Sequence, residues 1–144
     1  MKLKGVKLEH LDQVAAAMIE SLGGNELGSV VHLSGDLGAG KTTLVKAVAK
    51  LLGVEESVQS PTFVFMREYQ TKNKKFKNLY HIDAYRFDTK EEGNILNLKQ
   101  LKKKGNLIII EWPEKIDSQN PNLHMHIKHK NETERDIEIK DHAK

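Results

Sequence analysis

Eight consecutive residues, Gly35-Asp36-Leu37-Gly38-Ala39-Gly40-Lys41-Thr42, satisfy the pattern G-x-x-x-x-G-K-[ST] at every fixed position. Glycines let successive backbone N–H groups converge on phosphate oxygens without Cβ clashes. The pattern needs a strand before it and a helix after it, because the helix offers its N-terminus to the same anion. Both are legible. Ser29-Val30-Val31-His32-Leu33-Ser34 is β-branched and mostly apolar, and reads as a buried strand. Leu44, Ala47, Val48, Leu51 and Leu52 repeat on one helical face, and Gly53 is the stop signal. In such a loop Lys41 reaches the β- and γ-phosphates and Thr42 gives its hydroxyl to Mg²⁺. With average residue frequencies the pattern arises by chance in about 0.5% of chains this long. The bland alternative is a glycine-rich strand–helix turn with an exposed lysine.

A phosphate loop also needs a carboxylate to help hold the metal, usually at the end of a neighbouring hydrophobic strand. Two residues qualify. Glu111 follows Leu107-Ile108-Ile109-Ile110, a continuous apolar run of the kind buried on both faces of a sheet. Asp83 follows Leu79-Tyr80-His81-Ile82. The residues alone leave the choice open: the competing readings are a solvated strand end for Glu111 and a turn or capping residue for Asp83.

The remaining pattern builds one domain over residues 1–144, since the length accommodates one and not two. Leu11, Val14, Ala15, Met18 and Leu22 predict a first helix ended by Gly23-Gly24, with no strong N-cap before it. Thr62 to Tyr69 and Leu79 to Ile82 predict a hairpin whose tip, residues 70–77, is polar and lysine-rich. Thr89 to Lys104 predicts one or two short helices. Leu123, Met125 and Ile127 alternate with His124, His126 and Lys128, and with Thr133 to Ile139 they predict a terminal antiparallel hairpin; residues 140–144 are expected to fray. Strand–helix units joined to hairpins give an α/β, three-layer P-loop NTPase-like fold with a mixed central sheet. The absence of cysteine excludes a disulfide framework, a thiolate metal site and a cysteine nucleophile. No apolar run is long enough for a membrane span and residues 1–7 lack an apolar leader, so the expected location is cytoplasmic.

Four segments together resemble one family. Gly35 to Thr43, then Ser60-Pro61-Thr62-Phe63, then His81-Ile82-Asp83-Ala84-Tyr85-Arg86, then Ile110-Glu111-Trp112-Pro113-Glu114 are similar, in order and spacing, to the bacterial TsaE (YjeE) P-loop ATPases. That resemblance implies ATP binding and hydrolysis in threonylcarbamoyladenosine modification of tRNA. The partners would be the transferase subunit TsaD and its companion TsaB, with tRNA met indirectly. It implies nucleotide contacts from Gly35 through Thr43, Lys41 as a catalytic cation, and Mg²⁺ held by Thr42 and Glu111. It further implies that Asp83 supports hydrolysis through the attacking water, that Thr62 lies in a loop resembling a GTPase switch segment, and that Trp112 stands beside the site. The chain departs from the family at three places. Asn97 and Leu101 stand where a glycine and an aromatic residue are usual, Ala84 replaces a leucine, and the first helix lacks the usual Thr and Gly. Asparagine still tolerates φ > 0. The last departure leaves the adenine-side contacts unassigned; Arg135, in the C-terminal hairpin, is a candidate further nucleotide contact, the alternative being a plain surface arginine.

Other features are weighed against plain structural roles. His81 adjoins Asp83 and is expected to pack in the core or next to the site, and Trp112, on sequence alone, reads as a core anchor. Arg86 answers Tyr85 or a carboxylate, or supports phosphate charge. His124 and His126 share a strand face, but no carboxylate pattern joins them into a metal site. The lysines at 72, 74, 75, 77 and 102–104 read as solvated surface, since no aromatic interleaving accompanies them. The net charge of +3 does not demand a polyanionic partner. Three functions compete: an ATPase that energises a partner complex, a small-molecule kinase, and a nucleotide switch that hardly hydrolyses. Kinases neutralise two sets of phosphates, usually with arginine. This chain has three arginines, Arg67, Arg86 and Arg135, and they are not clustered.

Overall fold

The computed structural model describes residues 1–23, 27–59, 65–118 and 120–142. In chain order the elements are β1 (Lys2–Lys7), a 3-10 turn (Leu8–His10), α1 (Leu11–Ser21), β2 (Ser29–Gly35), α2 (Lys41–Leu51), β3 (Met66–Gln70) and β4 (Asn78–Asp83). A 3-10 segment (Glu91–Leu96), α3 (Leu98–Leu101), β5 (Asn106–Glu111), a 3-10 turn (Pro113–Lys115), β6 (Leu123–His129) and β7 (Glu134–Asp141) follow. The strands form one seven-stranded mixed sheet in the order β1-β7-β6-β2-β5-β4-β3.

Its centre is parallel. β2 pairs in parallel with both β5 and β6, and β5 pairs in parallel with β4. The antiparallel pairs are the flanking hairpins, β3 with β4 and β6 with β7, and the edge pair β1 with β7. Every residue of β5 is buried, as expected of a strand covered on both faces. One face carries α1 and α2: Leu11, Val14, Met18, Leu44, Val45 and Val48 pack on Val31, Leu33, Leu107, Ile109, Met125 and Ile127. On the other face Phe87, Leu96 and Ile116 pack on Val30, Ile82, Ile108 and Ile110. The three-layer expectation therefore holds. So do both helices, the two hairpins and the short helical pieces between β4 and β5; residues 62–64, expected to open the first hairpin, lie outside the described residues.

Four local expectations need correction. The strand β1 was not legible because Gly5, with φ +63, and a register break between Leu3 and Val6 interrupt the period-two pattern. Leu51 is 47% exposed; Val45 and Ala49 complete the buried face of α2 in its place. The tip of the first hairpin is anchored, with Phe76 buried under a turn in which the Asn73 side chain accepts the N–H groups of Lys75 and Phe76. Of residues 140–144, expected to fray, 140 and 141 belong to β7 and the His142 N–H donates to the Asn122 carbonyl at 2.9 Å, while 143 and 144 lie outside the described residues. The four lysines of the tip are exposed, and Asn97 takes the left-handed conformation with φ +52. Among the described residues no helix is long and apolar enough to cross a membrane.

Candidate functional site

The parallel strands β2, β4 and β5 end on one edge of the sheet, where ligand sites of open α/β folds lie. Gly35, Asp83 and Glu111 are their last residues, and Asp83 is the register partner of Glu111. The phosphate loop springs from Gly35. Its φ of +149 and the close approach of the Ile127 carbonyl of β6 leave no room for a Cβ there. The loop turns through an Ala39 N–H to Asp36 carbonyl bond of 3.0 Å. Gly40, with φ +109, then delivers the chain into α2.

Around this loop lies a cleft of about 340 Å³. Leu37, Gly38, Ala39, Gly40, Lys41, Thr42 and Thr43 line it, together with Asp83, Glu111, Trp112 and Arg135. The Thr42 hydroxyl donates to the Glu111 carboxylate, with Oγ1 3.3 and 3.1 Å from its two oxygens. Glu111 is itself buried, at 3% exposure, and its Oε2 bonds His81 Nε2. A hydroxyl and a carboxylate at the mouth of a phosphate loop are the hard oxygen donors that Mg²⁺ takes from a protein while phosphates and waters supply the rest. Among the described residues no group of three or more His, Cys, Asp or Glu side chains is placed to hold a metal ion by itself.

Lys41 folds back on its own loop. Its Nζ donates to the Gly35 carbonyl and, at 3.0 Å, to the Asp36 carbonyl, and it stands 4.3 Å from the centre of the Trp112 ring. Burial lowers the pKa of this ammonium, and the Glu111 and Asp83 carboxylates oppose that effect. Trp112 has φ +58, an uncommon conformation for a bulky residue, and its N–H donates to the Leu33 carbonyl at 3.2 Å. The turn lays its ring over Lys41 and 5.0 Å from the ring of Tyr85. Asp83 accepts the Tyr85 N–H at 3.0 Å, so it is both the turn residue and a wall of the cleft.

Other predicted residues fall differently. Gly35 and Asp36 support the loop from behind through the carbonyls that hold Lys41. Arg135 reaches the cleft wall, but four carbonyls, those of Gly38, Ala39, Asn131 and Glu134, accept its N–H groups. Arg86 is exposed, with its guanidinium 5.9 Å from the Phe65 ring, and does not line the cleft. His81 is fully buried behind Glu111. Thr62 lies outside the described residues. Two lining residues were not singled out from the sequence, Leu8 and Tyr85. Tyr85 stood inside a recognised segment; Leu8 had no signal, since it arrives only because its N–H donates to the Thr133 carbonyl at 3.2 Å.

The sequence pattern of the family described as Threonylcarbamoyl adenosine biosynthesis protein TsaE matches residues 6–138, which includes every element that builds the cleft. This chain belongs to the TsaE family. Among TsaE relatives, the tRNA threonylcarbamoyladenosine biosynthesis protein of Bacillus subtilis is 39% identical over 112 residues, 76% of this chain and 68% of that protein. The Treponema pallidum protein is 38% identical over 96 residues, 67% of this chain and 68% of its own. The Haemophilus influenzae protein is 37% identical over 90 residues, 62% of this chain, and there the aligned stretch spans only 55% of the relative's length. The crystal structure of YdiB from Bacillus subtilis superimposes with a TM-score of 0.67 at 30% identity, covering 95% of this chain and 82% of that one.

Proposed function

We propose that the chain is a Mg²⁺-dependent ATPase that serves threonylcarbamoyladenosine modification of tRNA in the cytoplasm, together with the TsaD–TsaB transferase pair. The observation that carries this reading is the Thr42 hydroxyl 3.1 Å from Glu111 at the mouth of the loop that also presents Lys41. Gly35 through Thr43 would cradle the phosphates of ATP with backbone N–H groups and the N-terminus of α2. Lys41, released from the loop carbonyls, would neutralise the β- and γ-phosphates. Thr42 and Glu111 would hold Mg²⁺, which when bound neutralises charge that develops on the phosphate oxygens. Asp83, the register neighbour of Glu111, would orient the attacking water and take its proton.

Few charges remain for the transition state. Arg135 is the one arginine on the cleft wall, and its donors are committed to carbonyls. P-loop proteins without an arginine at the γ-phosphate are slow alone, and one supplied in trans accelerates them about 10³–10⁵-fold. Slow turnover by the isolated chain and a clear rise with TsaD and TsaB are therefore expected. The test follows the labelled γ-phosphate of ATP. Free phosphate at a partner-dependent rate supports the reading, and label on a small-molecule acceptor replaces it with a kinase. Free phosphate at one unchanged rate removes the coupling and keeps the ATPase.

A further inference from the structure

The carboxylate suited to Mg²⁺ is itself gripped by a residue that the cleft does not expose. His81 stands in β4 opposite Ile109, one register step of two before the pair Asp83 and Glu111. The period of two places His81, Asp83, Ile109 and Glu111 on the sheet face that α1 and α2 cover. Along β4 this face runs Leu79, His81, Asp83, and along β5 it runs Leu107, Ile109, Glu111. An aliphatic residue would suit packing at position 81, since both flanking positions, Leu79 and Ile109, are wholly buried and apolar. An imidazole stands there instead, at 0% exposure, with Nε2 on Glu111 Oε2.

The second ring nitrogen identifies the tautomer. Among the described residues His81 Nδ1 is buried and has no hydrogen-bond partner. A proton on Nδ1 would be a buried donor without an acceptor, and would leave a bare Nε2 lone pair facing a carboxylate oxygen. A proton on Nε2 removes both penalties. His81 then donates to Glu111 from β4 while Thr42 donates to it from α2.

We propose that His81 is a positioning residue, whose Nε2–H fixes the Glu111 carboxylate in the orientation that completes the Thr42–Glu111 oxygen pair. The role rests on the Mg²⁺-dependent reading given above. Removing such a partner from a metal-binding carboxylate typically weakens metal affinity by about 10–100-fold. Nothing in it touches the nucleotide, so metal-free nucleotide affinity should be spared.

The test uses the full chain and ADP, with the Mg²⁺ midpoint for tightened ADP binding read by calorimetry. His81→Leu keeps an apolar filler and loses the N–H. His81→Gln keeps an amide N–H at the reach of Nε2. His81→Leu is expected to raise the midpoint by about tenfold while ADP affinity in EDTA stays within about twofold, and His81→Gln to recover most of the loss. An unchanged midpoint in His81→Leu overturns the role, and so do equal shifts in the two variants, which would mean packing alone. Nitrogen-15 NMR of the wild-type imidazole provides a reading that no variant's folding can spoil: Nε2 protonated and Nδ1 bare is expected, and the opposite tautomer overturns the role. A wild-type chain whose ADP binding ignores Mg²⁺ overturns the Mg²⁺-dependent reading and this role with it; a responsive wild type with an indifferent His81→Leu variant removes the role alone.

Discussion

Arg135 donates from Nε to the Ala39 carbonyl at 2.9 Å and from Nη2 to the Gly38 carbonyl at 3.3 Å, across 96 and 97 residues of sequence. Arg135 is buried, at 4% exposure. It turns two carbonyls of the phosphate loop toward β7, and the loop's shape thereby depends on the last hairpin. Arg135→Met keeps the stem and removes the fork. Loss of the charged hydrogen bonds, one of them to the buried Ala39 carbonyl, is expected to lower stability by about 2–3 kcal/mol. Weakened ADP binding should accompany it, because the loop loses its brace. Chemical denaturation and calorimetry check the two halves separately; full stability with weakened binding would make Arg135 a direct nucleotide contact instead.

Lys41 and Thr42 carry the sharpest expectation. Lys41→Ala removes the cation from the loop and Thr42→Ala removes the hydroxyl beside Glu111. Each should cut ATP hydrolysis by at least about 10²-fold, the usual scale for losing one group that stabilises developing charge. Circular dichroism and phosphate release make the check; near-normal turnover in folded Lys41→Ala would remove the phosphate-loop assignment.

The single tryptophan is a reporter. Its ring stands 4.3 Å from Lys41 Nζ, and any anion that draws Lys41 away changes the field on the indole. Intrinsic fluorescence should therefore change on adding Mg-ADP, and the change should be absent in Lys41→Met at concentrations that saturate binding. A flat wild-type titration with binding verified by calorimetry would show that Lys41 keeps its place over Trp112.

Acid should destabilise the fold through His32. This residue in β2 bonds Ser118 through Nε2 at 2.9 Å, and burial, then the neighbouring His124 and His142, lower its pKa from 6.5 to about 4. The unfolded chain takes a proton near pH 6.5 that the folded chain refuses until about pH 4. The stabilising contribution is thus complete above pH 6.5 and is lost as the pH falls through that interval. Each pH unit is worth at most about 1.4 kcal/mol, which at about 2–4 °C per kcal/mol gives a Tm loss of at most about 3–6 °C per pH unit. His32→Gln should flatten this part of the Tm–pH curve; an equal slope in the variant would move the effect to His124, whose pKa burial also lowers.

The sequence was most informative where a single element carries the signal. Glycines with fixed spacing announce the phosphate loop, and the apolar run ending in Glu111 announces a central strand whose tip faces it. The residues alone left open whether Glu111 or Asp83 stands beside Thr42, because that depends on strand order; only the family resemblance favoured Glu111. With β5 directly beside β2, Glu111 gains the position. Leu8 was beyond sequence logic for the same reason, since the Thr133 carbonyl that holds it lies near the other end of the chain; Arg135 was singled out, but its hold on the Gly38 and Ala39 carbonyls was not legible. Local irregularity hid β1, where Gly5 breaks the alternation that would have marked it.

The strand order also sets a timetable. β2 is formed early in synthesis, yet its two sheet neighbours, β5 and β6, begin at Asn106 and Leu123. The phosphate loop's seat against Ile127 and its brace from Arg135 come later still. Loop-closure entropy must be met before such distant pairings form. A chain emerging from the ribosome therefore presents the glycine motif long before the surroundings of its loop exist. On the proposed function, partial products of translation that lack the final hairpin are expected not to sequester ATP.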